Sequence, residues 1–547
     1  MVMGFENKAV QNSGLTFILE SDSRKKELAV KVVENIHKPL DKWAVAAILE
    51  SMGLRDTDVR AEFGTDSIFH LAEEIYDICQ RDEEIVDMLN KRERAREEVE
   101  NPVKGFFKYY SRGLSFMFPF LGQIILLGLF RYSLWAYIEF TEAEATIVAL
   151  GTILSFIMSG GFVQAASRDS LYYLKAKEYR LAKKSYLQMF RFQLLAVVSV
   201  ALALLLLNLL FPFFKMKMIV TSLLYFILLS ELWFALTILY LIKHYLAVVL
   251  VTMIGILPVW AVMNFTKLGM FNAHFAGLIF ANILSWVYAL LWFRRKIRGQ
   301  QHKNPVKLPH RSIVAYVSSP YFIYGMMYFT FLFVDRIVSW STVETNVPAM
   351  LIWFRTPYEL GMDWALLSLL ITIALLEFTI ERFSSTLIPI QDNLRIFELG
   401  NFIEIYKRFY RRQFVLLIIM GMASVAVTYY GVLYLKRFDY ITEVKDFFSN
   451  KVTFMSFYVA SGGYFFMAIG LLNGLFFLTL SRLHFAIKAI GISIFVNLIT
   501  GILLSRWFGY EFGVFGLLAG GVTYALVSSK YANNFFRQLD YYYYSAY

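Results

Sequence analysis

The sequence predicts an all-α polytopic membrane protein, with about 12 transmembrane helices in two six-helix parallel pseudo-repeats behind a small N-terminal cytoplasmic helical domain. Three observations carry that prediction. Of 547 residues, 58% are hydrophobic, 18% aromatic and only 17% charged, against roughly 25% charged in a soluble domain. Apolar runs such as 192–211 and 245–262 recur along the chain. At about 1.5 Å per residue, each reaches across about 30 Å of hydrocarbon. The charge is also divided: residues 1–105 hold 15 Lys/Arg against 22 Asp/Glu, net −7, and the remainder 38 against 20, net +18. A soluble enzyme is excluded.

Residues 1–105 read as the cytoplasmic helical domain. Asp41 ahead of 42–49, with Gly53 after, marks a capped helix, and Thr65-Asp66 opens another in which Ile68, Leu71, Ile75 and Ile78 recur at helical spacing. A third helix, 83–100, is charged all round and closes at Pro102. The region is either a docking module for a cytoplasmic partner or a tail folded on itself. No basic start followed by a short apolar run precedes it, so no cleavable signal is expected. Cys79 is the single cysteine, which excludes a disulfide framework.

Twelve apolar spans follow, near 113–136, 144–166, 190–211, 217–242, 245–265, 271–293, 312–335, 361–386, 413–435, 452–479, 483–504 and 511–530. They group into a first bundle (106–293), a basic linker (294–311), a second bundle (312–532) and a Tyr-rich tail (533–547). Lys and Arg crowd the loops after the second, sixth and eighth spans, while the loop after the first has none and 436–451 is the exception. This bias predicts a multi-pass protein of the cytoplasmic (inner) membrane with both termini cytoplasmic. The positive excess belongs to the membrane part, so the partner it implies is an anionic lipid bilayer and not nucleic acid. At an offset of 223, Tyr179 meets Phe402, Lys184 meets Lys407, Tyr186 meets Phe409 and Leu194 meets Leu417. Two such halves in the same orientation enclose a central cavity and rock, which is the architecture of a transporter.

Short motifs add a resemblance. Asp335-Arg336 with Trp340, then Thr356-Pro357-Tyr358-Glu359, then Glu381 at the far end of the following helix, stand in the second half. In the first half stand Glu231-Leu232-Trp233, Lys243-His244-Tyr245, Ser159-Gly160-Gly161 and Ser167-Arg168. The arrangement over about 105–530 resembles the multidrug/oligosaccharidyl-lipid/polysaccharide (MOP) flippase superfamily, and within it the membrane transporter of the Pel exopolysaccharide system (PelG family). Tyr172 stands where that family has an Asp, with Asp169 nearby, and Glu359 replaces an Asp. The resemblance implies export of a hexosamine-rich exopolysaccharide in biofilm formation. It also implies two partners, a cytoplasmic glycosyltransferase and a cyclic-di-GMP-responsive membrane protein.

Ionisable groups at membrane depth cost about 2.5–3.5 kcal/mol each on insertion scales, so each needs a reason. Glu231, in the middle of the fourth span, is either a cavity-facing acceptor or proton carrier, or interhelical glue. With Trp233, Glu377 and Glu381 it forms the set of substrate-pathway candidates. Arg131, Asp335, Arg336, Arg382 and Lys488 are gate or structural ion-pair candidates, with Asp335 and Arg336 placed to form a gate between halves. Arg168, Trp340, Pro357, Tyr358 and Glu359 are the family-pattern positions. Most of the other span tryptophans read as interfacial anchors. No phosphate-binding G-x-x-x-x-G-K-[ST] loop and no His/Cys cluster with metal spacing occur, so no cofactor is expected. Two alternatives remain beside the exporter: a lipid-linked oligosaccharide flippase, or a polytopic glycosyltransferase or polymerase with Glu139, Glu142 and Glu144 as outer carboxylates.

Overall fold

The computed structural model describes residues 24–33, 41–52, 54, 56–82, 102–298, 308–343, 351–383, 399–435, 450–479 and 482–537. The expected helix 83–100 and the tail 538–547 lie outside them. The chain divides into two compact units, Met1–Phe107 and Lys108–Tyr547.

In the first unit, α1 (24–33), α2 (Lys42–Ser51), α3 (Asp56–Phe63) and α4 (Ile68–Arg81) surround a core of their own. Asp41 caps α2 by accepting from Ala44 N at 2.8 Å. The cap of α4 is Ser67, not Thr65-Asp66. Its buried stripe runs Ile68, Leu71, Ala72, Ile75 and Cys79. Ile78 was expected in that stripe, but eleven residues make about three turns, so Cys79 stands above Ile68 and Ile78 is turned partly outward.

In the second unit α5 (Pro102–Phe130, in this unit from Lys108 on), α6 (Glu142–Lys175), α7 (Tyr179–Leu210), α8 (Met216–Leu241), α9 (Tyr245–Ile254), α10 (Ile256–Phe265) and α11 (Met270–Arg298) form the first half. The second half comprises α12 (Arg311–Trp340), α13 (Thr356–Arg382), α14 (Leu399–Leu435), α15 (Lys451–Thr479), α16 (Leu483–Phe508) and α17 (Val514–Arg537). Eleven helical segments, with α9 and α10 counted together, are long and apolar enough to cross a membrane. The first expected span is also helical, and its apolar stretch among the described residues is Met117–Leu127. Among the described residues no strand occurs beyond an isolated Tyr132–Tyr137 bridge.

The halves repeat one packing scheme. In the first, α6 packs on α7 and α8, and α8 on α11; in the second, α13 packs on α14 and α15, and α15 on α17. Helix starts follow local chemistry. Thr141 and Glu144 form a reciprocal capping box on α6, and Pro357 lies in the first turn of α13, where its missing N–H costs nothing.

The first span ends earlier than 136. The helix stops at Phe130, Arg131 takes φ +66°, and 131–141 folds back into the bundle. There Leu134 N donates to Gln123 Oε1 at 2.7 Å, and Leu134 and Trp135 are buried. Hydropathy counts those apolar loop residues as helix because it does not distinguish burial in protein from burial in lipid. The eighth span begins earlier than 361, at Thr356.

Cys79 donates a long hydrogen bond to Ala29 O at 3.9 Å, and burial pushes its thiol up to about 11. The thiolate is the reactive form. Cys79 in the intact chain is therefore expected to resist maleimide at neutral pH and to react once the protein is unfolded. Native labelling as fast as that of a free thiol would contradict this packing.

Candidate functional site

The candidate site is the interface between the halves and the polar groups at its edges. The basic side is the face carrying the α6–α7 turn and the end of α11; α12 starts there, and its last turns lie at the opposite end.

Two seams join the halves. Along α6–α12 a Cβ on Gly325 would run into the Gly160 carbonyl, so the two backbones meet with no side chain between them. Toward the basic side, Ser318 Oγ lies 3.0 and 2.9 Å from the two carboxylate oxygens of Asp169. Arg168 Nε donates to Tyr321 OH at 3.3 Å, with its guanidinium 5.6 Å from the same ring. At the opposite end Phe354 N donates to Thr146 Oγ1 at 3.0 Å and Trp353 Nε1 to Glu142 at 2.8 Å. The second contact, α5–α13, is much narrower: Tyr110 OH donates to Ile371 O at 3.1 Å, and Gly113 lies against the Ala374 backbone.

An aromatic ladder crosses this interface. Trp233 on α8 stacks on Phe156 (4.8 Å) and Phe120 (5.3 Å), meets Trp135 edge-on (5.5 Å), and donates Nε1–H to Ser155 Oγ at 3.2 Å. Phe156 in turn stacks on Phe329 (5.4 Å) and Phe333 (5.6 Å) of the other half. Phe333 carries the Arg336 guanidinium 5.6 Å from its ring centre.

That arginine anchors a buried charged cluster. Its Nη1 donates to Glu359 Oε2 at 2.5 Å and to Asp363 Oδ1 at 2.7 Å. Trp340 Nε1 donates to Glu359 Oε1 at 2.7 Å, and Tyr358 OH to Asp335 Oδ2 at 3.0 Å. The Arg336 and Glu359 side chains are 7% and 4% exposed, Asp363 60%. Asp335 Oδ1 is buried without a hydrogen-bond partner among the described residues. Three carboxyls face one guanidinium here. Yet among the described residues no group of three or more His, Cys, Asp or Glu is arranged to hold a metal ion.

Five family-pattern or gate candidates, Asp335, Arg336, Trp340, Tyr358 and Glu359, therefore meet in one place, and Pro357 starts the helix that delivers two of them. The ion pairs and hydrogen bonds of the cluster tie α12 to α13 within the second half; it reaches the first half through Phe333, which stacks on Phe156, and through Trp340, whose neighbours Trp353 and Phe354 bond to Glu142 and Thr146. Arg168 lies in the seam instead. Asp169 reaches across to Ser318, whereas Tyr172, at the family's Asp position, is 65% exposed.

Other candidates fall elsewhere. Arg131 pairs with Glu139 at 3.2 Å in the first connecting loop, not with an intramembrane acid. Lys488 is exposed near the start of α16, at the opposite end of the bundle from Asp335. Arg382 lies 5.6 Å from the Phe378 ring centre, Glu377 is half-buried, and the side chain of Glu381 lies outside the described residues. Glu231 Oε1 is buried without a hydrogen-bond partner among the described residues. Two residues on a helix differ by about 200°, so Glu231 and Trp233 face different neighbours.

Of the three acids expected in the first outer loop, Glu142 and Glu144 lie in the first turn of α6, and each of the three has a structural contact. Glu139 accepts from Tyr137 OH at 2.5 Å and pairs with Arg131, which together hold its carboxyl below the usual range. Glu142 bonds to Trp353 and Thr356, and Glu144 is the capping-box partner of Thr141. Sequence reasoning missed Asp363, although its place four residues after Glu359 on one helix face signals a shared partner.

No family model and no curated protein matches the chain. Solved structures do match in fold. The chain is similar to an outward-facing multidrug resistance MATE family transporter of the MOP superfamily, at 13% identity and TM-score 0.56, covering 81% of this chain and 97% of that one. An inward-facing MATE transporter of the same superfamily matches at 14% identity and TM-score 0.52 over 73% and 91%. A MATE structure in the straight conformation matches at 11% and 0.55 over 80% and 97%. The protein is thus a multi-pass membrane protein with the fold of the MATE transporters.

Arg336→Gln would leave Glu359 buried without its counter-charge, a loss of about 3–5 kcal/mol where a buried pair is broken. The expected result is a clear fall in the thermal midpoint of the detergent-solubilised protein. Glu359→Gln keeps the Trp340 bond and leaves Arg336 with Asp363, so its fall is expected to be smaller. Equal midpoints for all three proteins would show that the cluster is not structural.

Proposed function

We propose that this protein is an inner-membrane translocator that exports a hexosamine-rich, Pel-like exopolysaccharide made by a cytoplasmic glycosyltransferase. The observation that carries this reading is the close glycine contact of α6 with α12 between two similarly packed halves, with a second point of contact at Gly113 and an aromatic ladder crossing the interface, on a MATE-type fold. Close backbone contact and a few hydrogen bonds hold such seams, each bond worth about 0.6 kcal/mol on average in a membrane, so they can open and re-form as the halves rock. Aromatic faces suit a sugar chain because they contact C–H faces without fixing a register. Glu139, Glu142 and Glu144, on which the polymerase alternative rests, are engaged in structural contacts, which favours the exporter. A lipid-linked oligosaccharide flippase would differ only in cargo and would depend on a polyprenyl-phosphate carrier.

In this reading both termini are cytoplasmic and the first unit is the docking module for the glycosyltransferase. Trp43 and Phe69, 61% and 49% exposed and in edge contact at 5.3 Å, offer an apolar contact there. A cyclic-di-GMP-responsive membrane protein completes the assembly.

The deciding experiment uses inverted vesicles with the glycosyltransferase and labelled nucleotide-hexosamine, scored for polymer protected from added glycosidase. Protection only when this chain is present is the expected outcome; no polymer at all without it would move the protein into synthesis. In the same assay Glu231→Gln and Glu381→Gln are expected to insert normally and to lower protection. Normal protection by both would make them structural. Removing residues 1–100 should preserve insertion and weaken co-purification of the transferase, and unchanged co-purification would end the docking assignment.

A further inference from the structure

On the basic side an open cavity of about 600 Å³ lies between the start of α7 and the end of α11, lined by Arg180, Lys183, Arg294 and Arg298 together with Leu290 and Leu291. None of these four cations makes an ion pair among the described residues. We infer that this cavity is a binding site for the headgroup of an anionic phospholipid, with the phosphate held by the four cations and an acyl chain lying along Leu290 and Leu291.

The placement of charge argues for a ligand. On α11 the cations Arg294, Arg295, Lys296 and Arg298 fall in the last turns, where the helix dipole favours them, so they need no ligand. On α7 the same reasoning runs the other way. Arg180 occupies the first turn and Lys183 follows at the start of the second; the first turn has no acidic residue, and the N-cap Glu178 makes no side-chain cap hydrogen bond. Cations at that end oppose the dipole and repel the four on α11. A bound anion reverses both penalties.

The polarity gradient distinguishes lipid from a soluble anion. Leu290 and Leu291 are 39% and 48% exposed and lie about one turn deeper into the apolar part of α11 than Arg294. The cavity is therefore charged at the interface and apolar just below it, the order of groups along a phospholipid. A free phosphate would use the cations and leave the leucines uncovered. The inference rests on the membrane reading and not on the cargo.

The test uses the full chain purified in detergent with equal amounts of phosphatidylglycerol and phosphatidylcholine of the same acyl length, and counts retained lipid by native mass spectrometry. Wild type is expected to retain phosphatidylglycerol preferentially. Arg180→Gln with Lys183→Gln should lower that retention about tenfold or more. Lys215→Gln with Lys217→Gln, the same charge change at the opposite end, should leave it unchanged. If the first double variant is poorly folded, Arg294→Gln with Arg298→Gln applies the same test from the other helix. Equal retention by wild type and cavity variants, or equal loss in the Lys215/Lys217 control, overturns the site. Displacement of the lipid by millimolar inorganic phosphate, with the same gain in thermal midpoint that lipid confers, also overturns it in favour of a soluble anion.

Discussion

Apolar side chains gain nothing by leaving lipid tails for one another, so two helical bundles in a membrane need some other reason to stay together. Here that reason is close backbone approach. Gly160 and Gly325 bring α6 and α12 together with no side chain between them, and Gly113 does the same for α5 against the Ala374 backbone. Everything else at the interface depends on that distance: the Asp169–Ser318 and Arg168–Tyr321 contacts at one end, the Glu142–Trp353 contact at the other, and the ring stacking between. Hydrogen bonds in such a place are modest, and van der Waals contact along the seam carries the rest.

The charged cluster solves a different problem. A guanidinium and carboxylates in a water-poor bundle must be paired and hydrogen-bonded or they destabilise it. Arg336 meets Glu359 and Asp363, Trp340 occupies the other Glu359 oxygen, and Tyr358 covers one oxygen of Asp335. These bonds make α12 and α13 act as one body at that end. Phe333 links this body to the ladder, because its ring contacts both Phe156 of the other half and the Arg336 guanidinium. A movement between halves has to slide the Phe156 contacts before it disturbs the ion pairs, since stacked rings resist displacement less than a buried salt bridge does.

The first connecting loop shows how composition misleads when contacts are absent from view. Three acids within six residues suggest chemistry, yet one closes a helix cap, one bridges to the second half and one holds a local tyrosine and arginine. Conversely, the scattered motifs Asp335-Arg336, Trp340 and Tyr358-Glu359 look unrelated along the chain and prove to be a single cluster, because the end of α12 and the start of α13 are adjacent in space.

Length and hydropathy by themselves determined that the chain is helical and that it crosses a membrane many times. Those properties follow from local physics, since a backbone in hydrocarbon must satisfy its own hydrogen bonds. The cap at Asp41 was legible because it is a local pattern and Asp335 and Arg336 because they are costly residue types, while Trp340, Tyr358 and Glu359 stood out only through the family resemblance. What only the tertiary structure decided is partnership. The ends of the first and eighth spans, the pairing of Arg131 with Glu139, and the pairing of Arg336 with acids of its own half all depend on which segments face each other. That choice is set by complementary surfaces far apart in the chain, such as Gly160 and Gly325, and no local pattern encodes it.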